Sequence, residues 1–108
     1  VALMKNEIDV HDYLFEQSFD EMILWLSENV GPVIDGNHTR HTYTVNGKGW
    51  KYEYMQYECY KDRCSRKVRI DFANRNFKEQ ATNDKFFFFS KRVHIEDDEL
   101  AVLFKLSF

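Results

Sequence analysis

Apolar positions first recur with a helical period, just after position 18. Phe19, Met22, Ile23, Leu26 and Val30 fall on one face, and Leu24 and Trp25 widen it. Ser18 and Glu21 have capping-box spacing, which satisfies the first free amides of a helix. Asp20 and Glu21 sit where the positive end of the helix dipole favours acids. Gly31 can take a left-handed stop and Pro32 cannot continue the helix, so a helix over 19–30 is predicted. The period then drops to two. Thr42 and Thr44 alternate with Tyr43 and Val45 as a short strand. Asn46-Gly47, extended by Lys48-Gly49, predicts a four-residue hairpin loop. Residues 50–72, WKYEYMQYECYKDRCSRKVRIDF, put Trp50, Tyr52 and Tyr54 on one face and Lys51, Glu53 and Met55 on the other. Val68, Ile70 and Phe72 alternate again after a basic stretch. The segment reads as two long antiparallel strands joined at 61–65.

The flanks are less regular. Val10, Tyr13 and Leu14 suit a short helical turn within an acidic stretch. Residues 31–40 read as a loop, and so do 74–84, where Phe77 is a lone apolar anchor. The run Phe86, Phe87, Phe88, Phe89 fits a strand covered on both faces or placed at the sheet centre. Asp97 can cap a last helix, with Asp98 and Glu99 in its first turn and Lys105 near its end. The expected fold is a single α+β domain over 1–108. An antiparallel sheet of about four strands carries one long N-terminal helix, and a C-terminal helix over 98–106, on one face.

Composition supports a packed chain. Hydrophobic content of 44% with ten Phe is too apolar for a disordered protein and predicts a ring-rich core. No apolar run approaches a bilayer span, and the first residues lack the pattern of a secretory leader. Two Cys give no disulfide framework, so a reducing setting is the simpler expectation. The net charge of −3 hides a segregation. Residues 1–35 carry one Lys against eight acids, residues 36–92 thirteen Lys/Arg against six acids, and residues 93–108 one Lys against four acids. Such a distribution either neutralises itself in the fold or leaves a two-faced surface that steers a charged partner.

Three chemistries can be weighed on these residues. His38, His41, Cys59 and Cys64 are the right ligand types for zinc, but a loop His-x2-His with Cys-x4-Cys at a turn matches no zinc spacing, and no cofactor is expected. His38 and His41 also resemble half of a paired His-x-Thr phosphoesterase signature; neither His has Thr two residues on, and no second copy exists. No nucleophile elbow, phosphate-binding Gly loop or His-Glu-x-x-His is present, so an enzyme is not expected. The strongest candidate is basic. Lys61, Arg63, Arg66, Lys67 and Arg69 crowd the turn and the strand after it, and Arg75 and Lys78 extend the patch. Cations beside rings suit nucleic acid, yet the pI near 5.8 and the split of strand residues between two faces oppose it. The rings of Trp50, Tyr52 and Tyr54 are better spent as core against the first helix.

The ending Asp97-Asp98-Glu99-Leu100-Ala101-Val102-Leu103-Phe104-Lys105-Leu106-Ser107-Phe108 resembles that of many small uncharacterised tailed-phage proteins. Trp25-Leu26-Ser27-Glu28-Asn29-Val30-Gly31-Pro32 is similar to their early Trp/Glu-Asn-x-Gly-Pro signature. The resemblance covers roughly 25 residues in two short places. It implies a phage origin, no known active site and a role in binding a partner protein. The expectation is a non-catalytic phage accessory protein in the host cytoplasm that binds a host or viral protein, with inhibition as one outcome. Its contact residues would be Lys61, Arg63, Arg66, Lys67, Arg69, Arg75 and Lys78. The alternatives are a nucleic-acid-binding protein using 61–69 and a small phosphodiesterase or nuclease using His38 and His41. No membrane is expected as a partner, and the chain is expected as a monomer or a homodimer through a sheet edge.

Overall fold

The computed structural model of the chain describes residues 6–10 and 19–108. The elements run β1 (Glu7–Asp9), α1 (Phe19–Asn29), β2 (Val33–His38), β3 (Thr42–Gly47), β4 (Trp50–Tyr60), α2 (Arg66–Asn74), β5 (Lys78–Ala81), β6 (Lys85–Ile95) and α3 (Asp98–Ser107). All pairings are antiparallel, in the order β1-β6-β4-β3-β2, with β5 also on β6. Two eleven-residue strands, β4 and β6, are paired from Trp50↔Ile95 to Tyr60↔Lys85 and form the spine. The second edge of β6 is shared by β1 near Val93 and by β5 near Phe88. The run of four Phe thus lies in the strand that is paired on both sides.

Cross-strand partners share a face, so Trp50, Tyr52, Val45, Val93, Ile95 and Ile8 make one apolar surface. Helices α1 and α3 close it with Met22, Leu26, Ala101 and Phe104, all buried. Phe19 meets Tyr52 edge-on at 4.9 Å, and Trp25 meets Phe104 at 5.6 Å. The end of α1 is fixed by the Gly31 N–H on the Leu26 carbonyl at 3.1 Å. The start of α3 is capped by Asp97, which accepts from the Leu100 N–H at 2.9 Å. Trp50 Nε1 donates to the Gly31 carbonyl at 2.7 Å, tying the helix stop to the sheet.

A second, smaller apolar cluster lies on the other face and at the other end of the spine. Tyr57 and Phe88 are cross-strand partners there, and α2 covers them. Phe72 of α2 stacks on Phe88 at 4.3 Å with the rings 11° apart, and Phe77 closes the side at 5.1 Å from Phe72. The sheet therefore carries helices on both faces, diagonally opposed.

Several expectations are corrected. The described sheet has six strands rather than about four, because β1, β2 and β5 join the strands that alternation predicts. Val33–His38 and Lys78–Ala81 are exposed along their whole lengths, so neither carries an inside-outside alternation. They are ordered by backbone pairing to β3 and β6. No long N-terminal helix is present among the described residues; α1 has eleven residues. The third strand expected at Val68, Ile70 and Phe72 is the helix α2, so the turn at 61–65 leads into a helix rather than a hairpin. Ser65 caps it, accepting from the Val68 N–H at 3.3 Å. Val68 and Phe72 face inward at helical spacing, while Ile70 is 47% exposed. The β3–β4 loop is shorter than predicted: Gly47 pairs with Trp50, leaving Lys48-Gly49, with Gly49 at φ +83°. Ser18 and its capping box, and Tyr13 and Leu14, lie outside the described residues.

Candidate partner-binding surface

The seven basic residues expected to meet a partner divide among several segments. Lys61 and Arg63 lie in the turn after β4, and Arg66, Lys67 and Arg69 on α2. Arg75 follows α2, and Lys78 opens β5. At about 100° per residue, α2 aligns Arg66, Arg69, Ile70 and Ala73 on one stripe and turns Lys67 away from it. The helix thus sorts cations that a strand would have divided in alternation.

Rings hold many of these cations. Lys61 Nζ lies 5.4 Å and Arg69 Cζ 4.3 Å from the Phe86 ring centre. Arg63 and Lys85 cover Tyr60 at 5.9 and 4.8 Å. Arg75 lies over Phe77 at 5.0 Å and near Phe72 at 5.7 Å. Cations over ring faces gain from the ring quadrupole and lose side-chain freedom, which presents their charge in a fixed place. Arg69 also forms a two-pronged pair with Glu79, both bonds 2.8 Å. That pair lowers the Glu79 carboxyl and raises the Arg69 guanidinium from their ordinary values. Among the described residues no carboxylate forms an ion pair with Lys61, Arg63, Arg66 or Lys67.

Lys85 escapes a reading of the sequence alone, although it shares the Tyr60 ring with Arg63. Its signal is the β4–β6 register, which sets Lys85 opposite Tyr60. Ile70, expected on a strand face, instead stands in the open between Arg66 and Ala73. It borders a groove of about 290 Å³ lined by Arg66, Arg69, Ile70, Ala73 and Glu79.

The two cysteines are free thiols, both half-buried. Burial, and then a hydrogen bond with Cys59, pushes the Cys64 thiol up to about 11. A thiol so placed stays protonated at neutral pH and is a poor nucleophile. His41 stacks on Tyr57 at 4.8 Å, and its Nδ1 lies 3.2 Å from the Gln56 carbonyl. His38 meets Tyr43 edge-on at 5.9 Å. Both His line a groove of about 340 Å³ with Arg40, Tyr54 and Glu58. Among the described residues no three His, Cys, Asp or Glu side chains group to hold a metal ion, and no helix is long and apolar enough to cross a membrane. The chain matches no protein-family model, no curated protein and no solved structure.

Proposed function

We propose that this chain is a non-catalytic binding protein that captures an acidic host or viral protein through α2 and the turn before it. The carrying observation is a set of cations without described ion-pair partners, Lys61, Arg63, Arg66 and Lys67, on a chain of net charge −3. All four are exposed and adjoin one another in the turn and the first turn of α2, and a one-signed cluster of this kind attracts an acidic partner. A phage origin, an inhibitory outcome and action in the host cytoplasm belong to the same proposal and rest on the two short resemblances.

The runner-up, nucleic acid, needs free ring faces for bases to stack on. Phe86, Tyr60 and Phe77 already carry the protein's own cations. That leaves the basic turn without free ring faces beside it for stacking, and favours a protein partner there.

The test is capture from a lysate of the natural host with the wild-type chain and with Arg63→Glu/Arg66→Glu/Lys67→Glu. These three have no described ion pair to lose, so circular dichroism should be unchanged. Capture of the specific partner should fall by at least tenfold. Undiminished capture would remove the surface assignment.

A further inference from the structure

The β5 strand and α2 together form more than a basic patch. In the β5–β6 ladder the Thr82 N–H bonds the Lys85 carbonyl at 2.9 Å. With the register Gln80↔Phe87 and Lys78↔Phe89, the alternation of an antiparallel ladder turns the backbone groups of Thr82, Gln80 and Lys78 toward β6. The N–H and C=O groups of Glu79 and Ala81 therefore point away from the sheet. No described strand lies beyond them. An unpaired edge is a template for a further strand.

The stripe of α2 that carries Arg66, Ile70 and Ala73 stands beside this edge and completes the groove. Backbone pairing groups, an apolar patch and a positive wall thus run side by side. The carboxylate in the groove, Glu79, is already neutralised by Arg69, so Arg66 is left to meet an incoming charge. At the edge of β2 no such wall stands among the described residues. The neighbours of β2 in the hairpin loop are Thr39, Arg40 and His41.

We propose that the partner of this chain docks an extended acidic segment as an added strand on β5. Alternate apolar side chains would rest on Ile70 and Ala73, and a carboxylate would pair with Arg66. This mode supplies affinity from main-chain hydrogen bonds and selectivity from the side chains along one face. The proposal rests on the acidic-protein reading above and adds how the segment is held.

The probe is a fluorescent, terminally blocked eight-residue peptide, Thr-Glu-Thr-Val-Thr-Val-Thr-Glu, whose one strand face carries both valine and glutamate, titrated against the whole chain by anisotropy. A version with alternate backbone nitrogens methylated cannot pair along one edge and should bind at least tenfold more weakly. Arg66→Glu should cost a similar factor. Ala81→Pro removes an outward N–H without touching the β6 ladder and should weaken binding tenfold. Should that variant fold poorly, amide exchange on the wild-type chain reads the same contact. The Glu79 and Ala81 amides should gain protection at saturating peptide, while the Gly36 amide on β2 should not. Equal binding of the methylated peptide, or unprotected Glu79 and Ala81 amides in the complex, would overturn strand addition. If binding still needs Arg66 in that case, the acidic-partner reading stands without it. Indifference to both changes, or binding only of a single-stranded oligonucleotide used as control, would overturn both.

Discussion

A Cβ built on Gly47 would lie 2.0 Å from the Trp50 ring, and Trp50 is fully buried. The indole cannot retreat, because its Nε1 is bonded to the Gly31 carbonyl and its other side meets the main core. Interiors packed to this density do not accept an extra methyl without strain. Gly47→Ala should therefore lower the unfolding free energy by about 3 kcal/mol, the upper end of overpacking costs. Urea titration followed by Trp fluorescence measures it, and a midpoint within error of wild type would show that the ring can shift. In the sequence, Gly47 follows Asn46 and reads as a turn residue. Its packing role has no local signature, since the ring that forbids a side chain approaches across the hairpin.

At the scale of elements, α2 is the one most open to change. None of its residues is fully buried, and its main anchor is the Phe72 ring on Phe88. Phe72 is half-buried, so truncation should cost about 2 kcal/mol, less than the roughly 3–5 typical of a core Phe. The loss should be local. Hydrogen exchange of Phe72→Ala should accelerate across Arg66–Asn74 and leave α1 and α3 protected, because those helices pack on the opposite face. Uniform acceleration would show a single cooperative unit. The same weak anchoring explains why α2 is hard to read from sequence. Val68 and Phe72 fit a helix, while Val68, Ile70 and Phe72 together fit a strand, and the choice depends on the Ser65 cap and on the exposure of Ile70. By contrast α1 and α3 carry wide apolar faces and end signals, and both are legible. The basic residues of the candidate surface are legible as composition. Their arrangement is not, because it depends on α2 being a helix and on β5 existing at all.

Across the whole molecule, stability should hold a plateau bounded by two kinds of buried group. On the acid side stands His94 of β6. Its cross-strand partners are Glu7 of β1 and Lys51 of β4, with Arg92 and Glu53 beside it. Burial lowers the imidazole below its ordinary 6.5, and the pull of Glu7 and Glu53 does not restore it. The unfolded chain then takes up a proton near pH 6.5 that the folded chain refuses. Its contribution is present above 6.5 and is lost as the pH falls through the folded value. On the alkaline side burial pushes Tyr52 up to about 12, so its contribution is present below 10.0 and is lost as the pH rises through about 12. Cys64, raised to about 11 from 9.0, acts in the same direction. The melting temperature should therefore be flat between about pH 7 and 9 and fall below about pH 6.5. His94→Gln should flatten the acid limb without moving the plateau by more than about 1 kcal/mol, as expected for a half-buried polar replacement. The acid limb also passes the pI near 5.8, where the exposed β2 and β5 edges lose the protection of net charge. Calorimetry from about pH 5 to 9, read with light scattering, separates the two effects. A limb that survives His94→Gln unchanged while scattering rises would assign acid loss to association through those edges, and not to the buried imidazole.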